Sequence, residues 1–175
     1  MKRIILCLAC ILICSAGFLF AGKPNRLRKL TEQEKIQMVL ANLRQAAQHG
    51  EANEFINNFS KDYKDADSKS GNDHAKMKQN AADFFSQYKP IDDKPMLYIY
   101  DTKISIGGNI ATVDCKMMLM ARSIESGGNV NELFADQIDF VKEGEVWKIG
   151  NFTKVGKIMN KANNMRKSKK EQEAK

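Results

Sequence analysis

Histidine, tryptophan and proline are scarce in this chain, and cysteine is confined almost wholly to one end. The 175 residues include two histidines, one tryptophan, three prolines and four cysteines. Cys7, Cys10 and Cys14 crowd the N-terminus, which leaves Cys115 alone in the remainder. Once the N-terminal stretch is removed, no intramolecular disulfide and no cysteine-rich metal site can form, and an oxidising compartment would go unused by the fold. His49 and His74 lie far apart and make no His-x-x-x-His pair, so metal-ligand spacing is missing and no metal is expected. There is no Ser-His-Asp set, no glycine loop of the phosphate-cradling kind, and no interleaving of aromatic with basic residues as nucleic-acid binders use. No cofactor and no nucleic-acid partner are therefore expected.

What is present begins with charge asymmetry. The net charge of +7 resides in the flanks: residues 154–175 carry +6, and Lys23–Lys29 carries four basic residues and no acid, while the body between is acidic at −5. Solvated basic tails account for this without a nucleic-acid surface. Met1-Lys2-Arg3 followed by the uncharged, mostly apolar Ile4–Phe20 and the small Ala21-Gly22 has the parts of a secretory signal. The run barely reaches the length that spans a bilayer, so residues 1–22 read as a cleaved signal peptide, with an uncleaved membrane anchor as the alternative. Cys10 and Cys14 lack the flanking residues of a lipidation site. Export to the periplasm or beyond is the expected localisation.

Residues 23–30 read as a basic linker. Thr31 and Glu34 form an N-cap and capping-box pair, and Ile36, Val39, Leu40, Leu43, Ala46 and Ala47 then recur at helical spacing until Gly50. A second helix carries Phe55, Ile56 and Phe59. Ser68–Asn72 reads as a polar loop. A third helix runs from about Asn72 or Asp73 to Tyr88, on Met77, Ala81, Phe84 and Phe85, and Lys89-Pro90 closes it. Beyond Pro95 the period changes to two. Strands are predicted over Met96–Ile106, Ile110–Ser123, Val130–Lys142 and Glu145–Thr153, with turns at Gly107-Gly108-Asn109, Ser126–Asn129 and Glu143-Gly144. Ala111, Val113, Cys115, Met117, Leu119 and Ala121 share one face of the long second strand. The result is an α+β plan: three N-terminal helices packed on a curved four-stranded antiparallel sheet forming a cone, with a basic C-terminal tail over 154–175 that is partly helical or disordered.

Three stretches carry a resemblance: Phe59-Ser60-Lys61-Asp62-Tyr63, Gly108-Asn109-Ile110-Ala111-Thr112-Val113, and Phe140-Val141-Lys142-Glu143-Gly144-Glu145-Val146-Trp147-Lys148-Ile149. Residues 31–153 resemble the nuclear-transport-factor-two-like superfamily, also called SnoaL-like or cystatin-like. The resemblance implies a sheet wrapped around helices to leave a conical pocket. It also implies isomerases, dehydratases or polyketide cyclases with an Asp/His or Asp/Tyr set in that pocket, alongside secreted members that only bind. Such a fold does not choose among these activities.

Candidate acid–base residues are Asp114, His74 and Asp136. A carboxylate in an apolar wall has a raised pKa and can serve as acid or base. Asp114 is expected to face outward, because the opposite face of its strand is uniformly apolar; Asp136 and Asp139 point to opposite faces. His74 sits at a helix start. Tyr63, Tyr98, Tyr100, Met118 and Trp147 are the aromatic and polarizable candidates for a pocket, with Trp147 expected in the core. The expected function is an exported non-catalytic domain that binds a small apolar ligand or an envelope protein. The alternative is an isomerase, dehydratase or cyclase. A homodimer is expected from the fold resemblance, and membrane contact only through an uncleaved signal or the basic tail.

Overall fold

The chain is described by a computed structural model over residues 29–65 and 72–173. The expected signal peptide and nearly all of the basic linker lie outside these residues, as does most of the Ser68–Asn72 loop. Thr31–Lys175 forms one compact unit. Within it run α1 (Glu32–His49), α2 (Ala52–Ile56), α3 (His74–Gln87), β1 (Tyr88–Lys89), β2 (Leu97–Gly107), β3 (Ile110–Ser123), β4 (Asn129–Glu143), β5 (Val146–Asn151) and α4 (Thr153–Glu173).

The signals at the ends of α1 act as the sequence predicts. The Thr31 hydroxyl accepts the Glu34 N–H at 3.2 Å, and the Glu34 carboxylate accepts the Thr31 N–H at 2.8 Å. These bonds satisfy two of the donors that a helix start leaves free. At the other end Gly50 adopts φ 68° and donates its N–H to the last carbonyls of the helix, a left-handed conformation that glycine enters without the Cβ penalty. The stripe Ile36, Val39, Leu40, Leu43, Ala46 and Ala47 is buried throughout. Asp73 caps α3 by accepting the Lys76 N–H at 2.8 Å.

The sheet is antiparallel, with β3 at its centre, β4 on one side and β5 beyond β4. The other side of β3 is shared end to end by β2, which pairs from Leu97↔Leu119 to Gly107↔Ile110, and by β1 at Tyr88↔Ser123 and Lys89↔Arg122. This fifth, two-residue strand was not predicted. The residue before a proline is pushed into extended backbone, so Lys89 leaves the helix already shaped to pair. Helices α1–α3 nest on the concave face, where Ala111, Val113, Cys115, Met117, Leu119, Ala121, Ile138, Phe140 and Ile149 are buried. An aromatic chain through Phe55, Phe59 and Tyr63 continues to Phe152.

The tail, expected to be partly helical or disordered, is a continuous helix to Glu173, and Val155, Met159 and Ala162 on it are buried. Apolar docking stabilises the first half. The Lys-, Arg-, Gln- and Glu-rich second half consists of good helix formers that propagate the helix once it is nucleated.

Candidate functional site

Register decides which side chains enter the cone. Cys115 pairs with Asp136, Met117 with Phe134, Leu119 with Glu132 and Ala121 with Val130. Side chains directly opposite one another share a face, so Asp136 lies on the concave side beside buried Cys115. Asp114 pairs with Lys103 and Gln137 on the convex side and is exposed, as expected. Asp139 is also convex and accepts a hydrogen bond from the Asn151 amide at 3.0 Å. His74 is half-buried at the start of α3.

The structure brings two of the named residues into one interior environment, Asp136 and Tyr63. Burial raises the Asp136 carboxyl above its usual range, opposed by N–H groups of Lys154 and Gln137 that bond to it. The Tyr63 hydroxyl is pushed well above the ordinary phenol value, first by burial and then by the charges of Asp65 and Asp136. It donates to the Phe152 carbonyl at 3.2 Å. The Cys115 thiol is pushed up to about 12 by burial and by the same Asp136 charge, and its sulfur lies 3.7 Å from the Asp136 carbonyl oxygen.

These groups are already engaged. Asp136 accepts the backbone N–H of Lys154 at 3.1 Å in the first turn of α4, where the positive end of the helix dipole favours an anion. The Lys154 ammonium bonds the Ala135 carbonyl, and Lys161, two turns on, pairs with Glu132 at 3.4 Å. On the other flank the Tyr88 hydroxyl donates to the Ala162 carbonyl and the Asn163 amide to the Asn80 carbonyl. Thus α4 bridges α3 and β4. Asn80 in turn donates to Asn72, and Asn72 to Asp65. This polar seam was missed in the sequence, although Asn80 interrupting the stripe of Met77, Ala81 and Phe84 signals it.

The remaining named residues lie elsewhere. Trp147 is buried, as expected. Its indole N–H donates to Glu32 at 2.8 Å, and the Lys142 ammonium lies 5.8 Å from its ring. Glu32 also receives Lys35 and Lys142, and these bonds hold its carboxyl down to about 2. Trp147 forms part of a groove of about 420 Å³ between α1, α2 and β5, lined by carboxamides of Asn42, Gln45, Asn57 and Asn58 with Glu51, Glu54 and Lys148. A second groove, of about 450 Å³, is lined by Ser60, Asp62, Asp139, Glu143 and Asn151 among others. Tyr98 and Met118 face each other on the convex side, Met118 faces Leu133 on β4, and Tyr100 stands opposite Lys116. Tyr98, Tyr100 and Met118 are therefore outside the cone. No cluster of metal-binding side chains occurs among the described residues.

A curled antiparallel sheet with helices in its concavity is the nuclear-transport-factor-two-like fold. Solved structures bear this out. The chain is similar to a protein of unknown function from Mycobacterium tuberculosis, at TM-score 0.56 and 14% identity, over 69% of this chain and 72% of that one. It is also similar to a candidate dehydratase of the nuclear-transport-factor-two-like family from Streptomyces avermitilis, at TM-score 0.52 and 13% identity, covering 68% and 91% respectively. A third likeness is to a ketosteroid isomerase-like protein from Erwinia carotovora atroseptica, at TM-score 0.53 and 11% identity, covering 70% and 94%. No family profile matches the sequence, and no curated protein matches it.

Proposed function

We propose that this chain is an exported, non-catalytic domain that binds a small apolar ligand or an envelope protein. The observation that carries the reading is the engagement of the interior polar groups. Asp136 is bonded to the start of α4 and Tyr63 to the carbonyl just before it, so both hold the fold together. A general base must reach the proton it abstracts, and neither group is free to do so while α4 is docked. The signal-like N-terminus supports export. Mass spectrometry of the mature protein checks this: a new N-terminus near Lys23 is expected, and retention of Met1 on an exported or cytosolic product overturns cleavage.

The partner surface we assign to a second copy is the convex face. Tyr98, Met118 and Leu133 form one row across three strands, and Leu133 is 67% exposed. Exposed apolar patches of this kind mark interaction sites. Sedimentation of the mature protein should give a dimer that Leu133→Lys converts to a monomer; a wild-type monomer at high concentration removes the assignment.

The raised carboxyl of Asp136 beside Tyr63 favours a second reading, an isomerase, dehydratase or cyclase. Deuterium incorporation next to the carbonyl of a small ketone, followed by NMR, tests it. Protein-dependent exchange that vanishes in Asp136→Asn would displace the binding reading.

A further inference from the structure

We propose that α4 is a gate: its first three turns undock from the cone as a unit, while the sheet stays folded, and so expose Asp136 and Cys115 to solvent. The inference goes beyond the binding reading and holds whether or not the convex face pairs.

The seam beneath α4 differs in kind from the rest of the core. Most of the concave side of β3 is closed by apolar packing, but Cys115 faces Asp136 across the ladder, where the start of α4 caps the carboxylate. The α3–α4 seam runs through Asn80 and Asn163, and the Asn163 side-chain oxygen, in a residue only 5% exposed, has no hydrogen-bond partner. A buried acceptor left unpaired loses its hydration without replacement, and undocking restores it. The covering helix is also poor in intrinsic stability. Gly156, Asn160, Asn163 and Asn164 fall within its first three turns, and all four are weak helix formers. Its helicity in this half therefore depends on docking.

The attachment is local as well. One residue, Phe152, separates β5 from α4, and Phe152 is anchored by the Tyr63 hydroxyl and by packing against Phe59. Motion can pivot just after it without disturbing the β4–β5 ladder. At the near end the helix is held by Asp136 and by the close approach of Gly156 to Met77 and Asn72. At the far end Lys161 meets Glu132 at the rim of the sheet, an exposed ion pair of the kind that contributes little. Opening leaves the Asp136 carboxylate with the Gln137 N–H but without the Lys154 N–H, one same-face pair along the ladder from Met117 and Phe134.

Native-state hydrogen exchange on the full chain tests this, together with iodoacetamide labelling read on the peptide that contains Cys115. Elements that open sub-globally exchange ahead of the core. Amides of residues 155–164 should exchange about 100-fold faster than those of β3, with Cys115 alkylated in step with α4. Met159→Ala, which truncates an α4 side chain only 1% exposed, should raise α4 exchange and Cys115 labelling together and leave β3 unchanged. Exchange of α4 at the β3 rate overturns the proposal. So does fast α4 exchange with Cys115 labelled only at the β3 rate, because the helix would then fray without opening the cone.

Discussion

The carboxylate of Asp136 on β4 caps the first turn of α4 through the backbone N–H of Lys154, 3.1 Å away and 18 positions further along the chain. A strand residue thus performs for α4 what Thr31 and Asp73 perform for their own helices. The same carboxylate is what a catalytic reading of this fold would require, and here it is spent on holding the helix.

Asp136→Asn is expected to keep the acceptor and remove the charge. Burial raises the folded-state pKa above the unfolded value, so the folded protein binds the extra proton between the two. The carboxylate's desolvation penalty is relieved at acid pH and fully present at neutrality, and stability declines as pH rises through the folded pKa. The stability of Asp136→Asn relative to wild type should therefore improve as pH rises from the carboxylate range to neutrality. Urea denaturation of both proteins across that interval measures it; a difference that runs the other way would mean the charge on the helix end outweighs burial.

Glu32 has the opposite sign. Bonds from Lys35, Lys142 and the Trp147 indole hold its folded pKa to about 2. Its contribution is complete above the ordinary glutamate range and is lost as pH falls toward the folded value. Glu32→Gln should lower the melting temperature at neutral pH and converge on wild type in strong acid. A constant gap at every pH would show that the ion pairs contribute nothing.

Gly50→Ala should destabilise the fold by about 1 kcal/mol, because a side chain at positive φ carries that order of strain. Space is not the obstacle, since the added Cβ would lie 3.8 Å from the nearest atom, the Phe85 Cβ. A shift of the urea midpoint without a change of slope is the expected signature.

Tyr63→Phe removes the bond from the Tyr63 hydroxyl to the Phe152 carbonyl. A loss of about 1 kcal/mol is expected, read by thermal unfolding. A loss near zero would mean that ring packing against Phe59 alone positions Phe152.

Much of this architecture was legible in residue patterns. Thr31 with Glu34 and Gly50 bounded α1, Gly108-Asn109 and Gly144 placed the hairpins, and the alternation from Ala111 to Ala121 assigned the inner face of β3. The interior role of Asp136 was not legible. Its half of β4 carries Val130, Glu132, Phe134 and Asp136 on the concave side, all half-buried, and the two carboxylates break the apolar pattern that marks an inner face. The helical start of the tail was legible in the spacing of Ile158, Ala162 and Met165, but Val155 and Met159, which are buried with Ala162, did not stand out among glycine and asparagine. The positions of Tyr98 and Tyr100 were obscured by the irregularity between Tyr100 and Lys103, where Asp101 takes φ 52° and the alternation changes phase.

That irregularity also governs how the molecule meets others of its kind. The outer border of β2 is broken between Tyr100 and Lys103 into two short paired runs, Leu97–Tyr100 and Lys103–Gly107, and the opposite border, at β5, is bonded to Asn58 and Ser60. Strand-by-strand growth favours a long, flat, vacant border, which neither edge offers among the described residues. The dimer proposed above would accordingly be held by contact between faces.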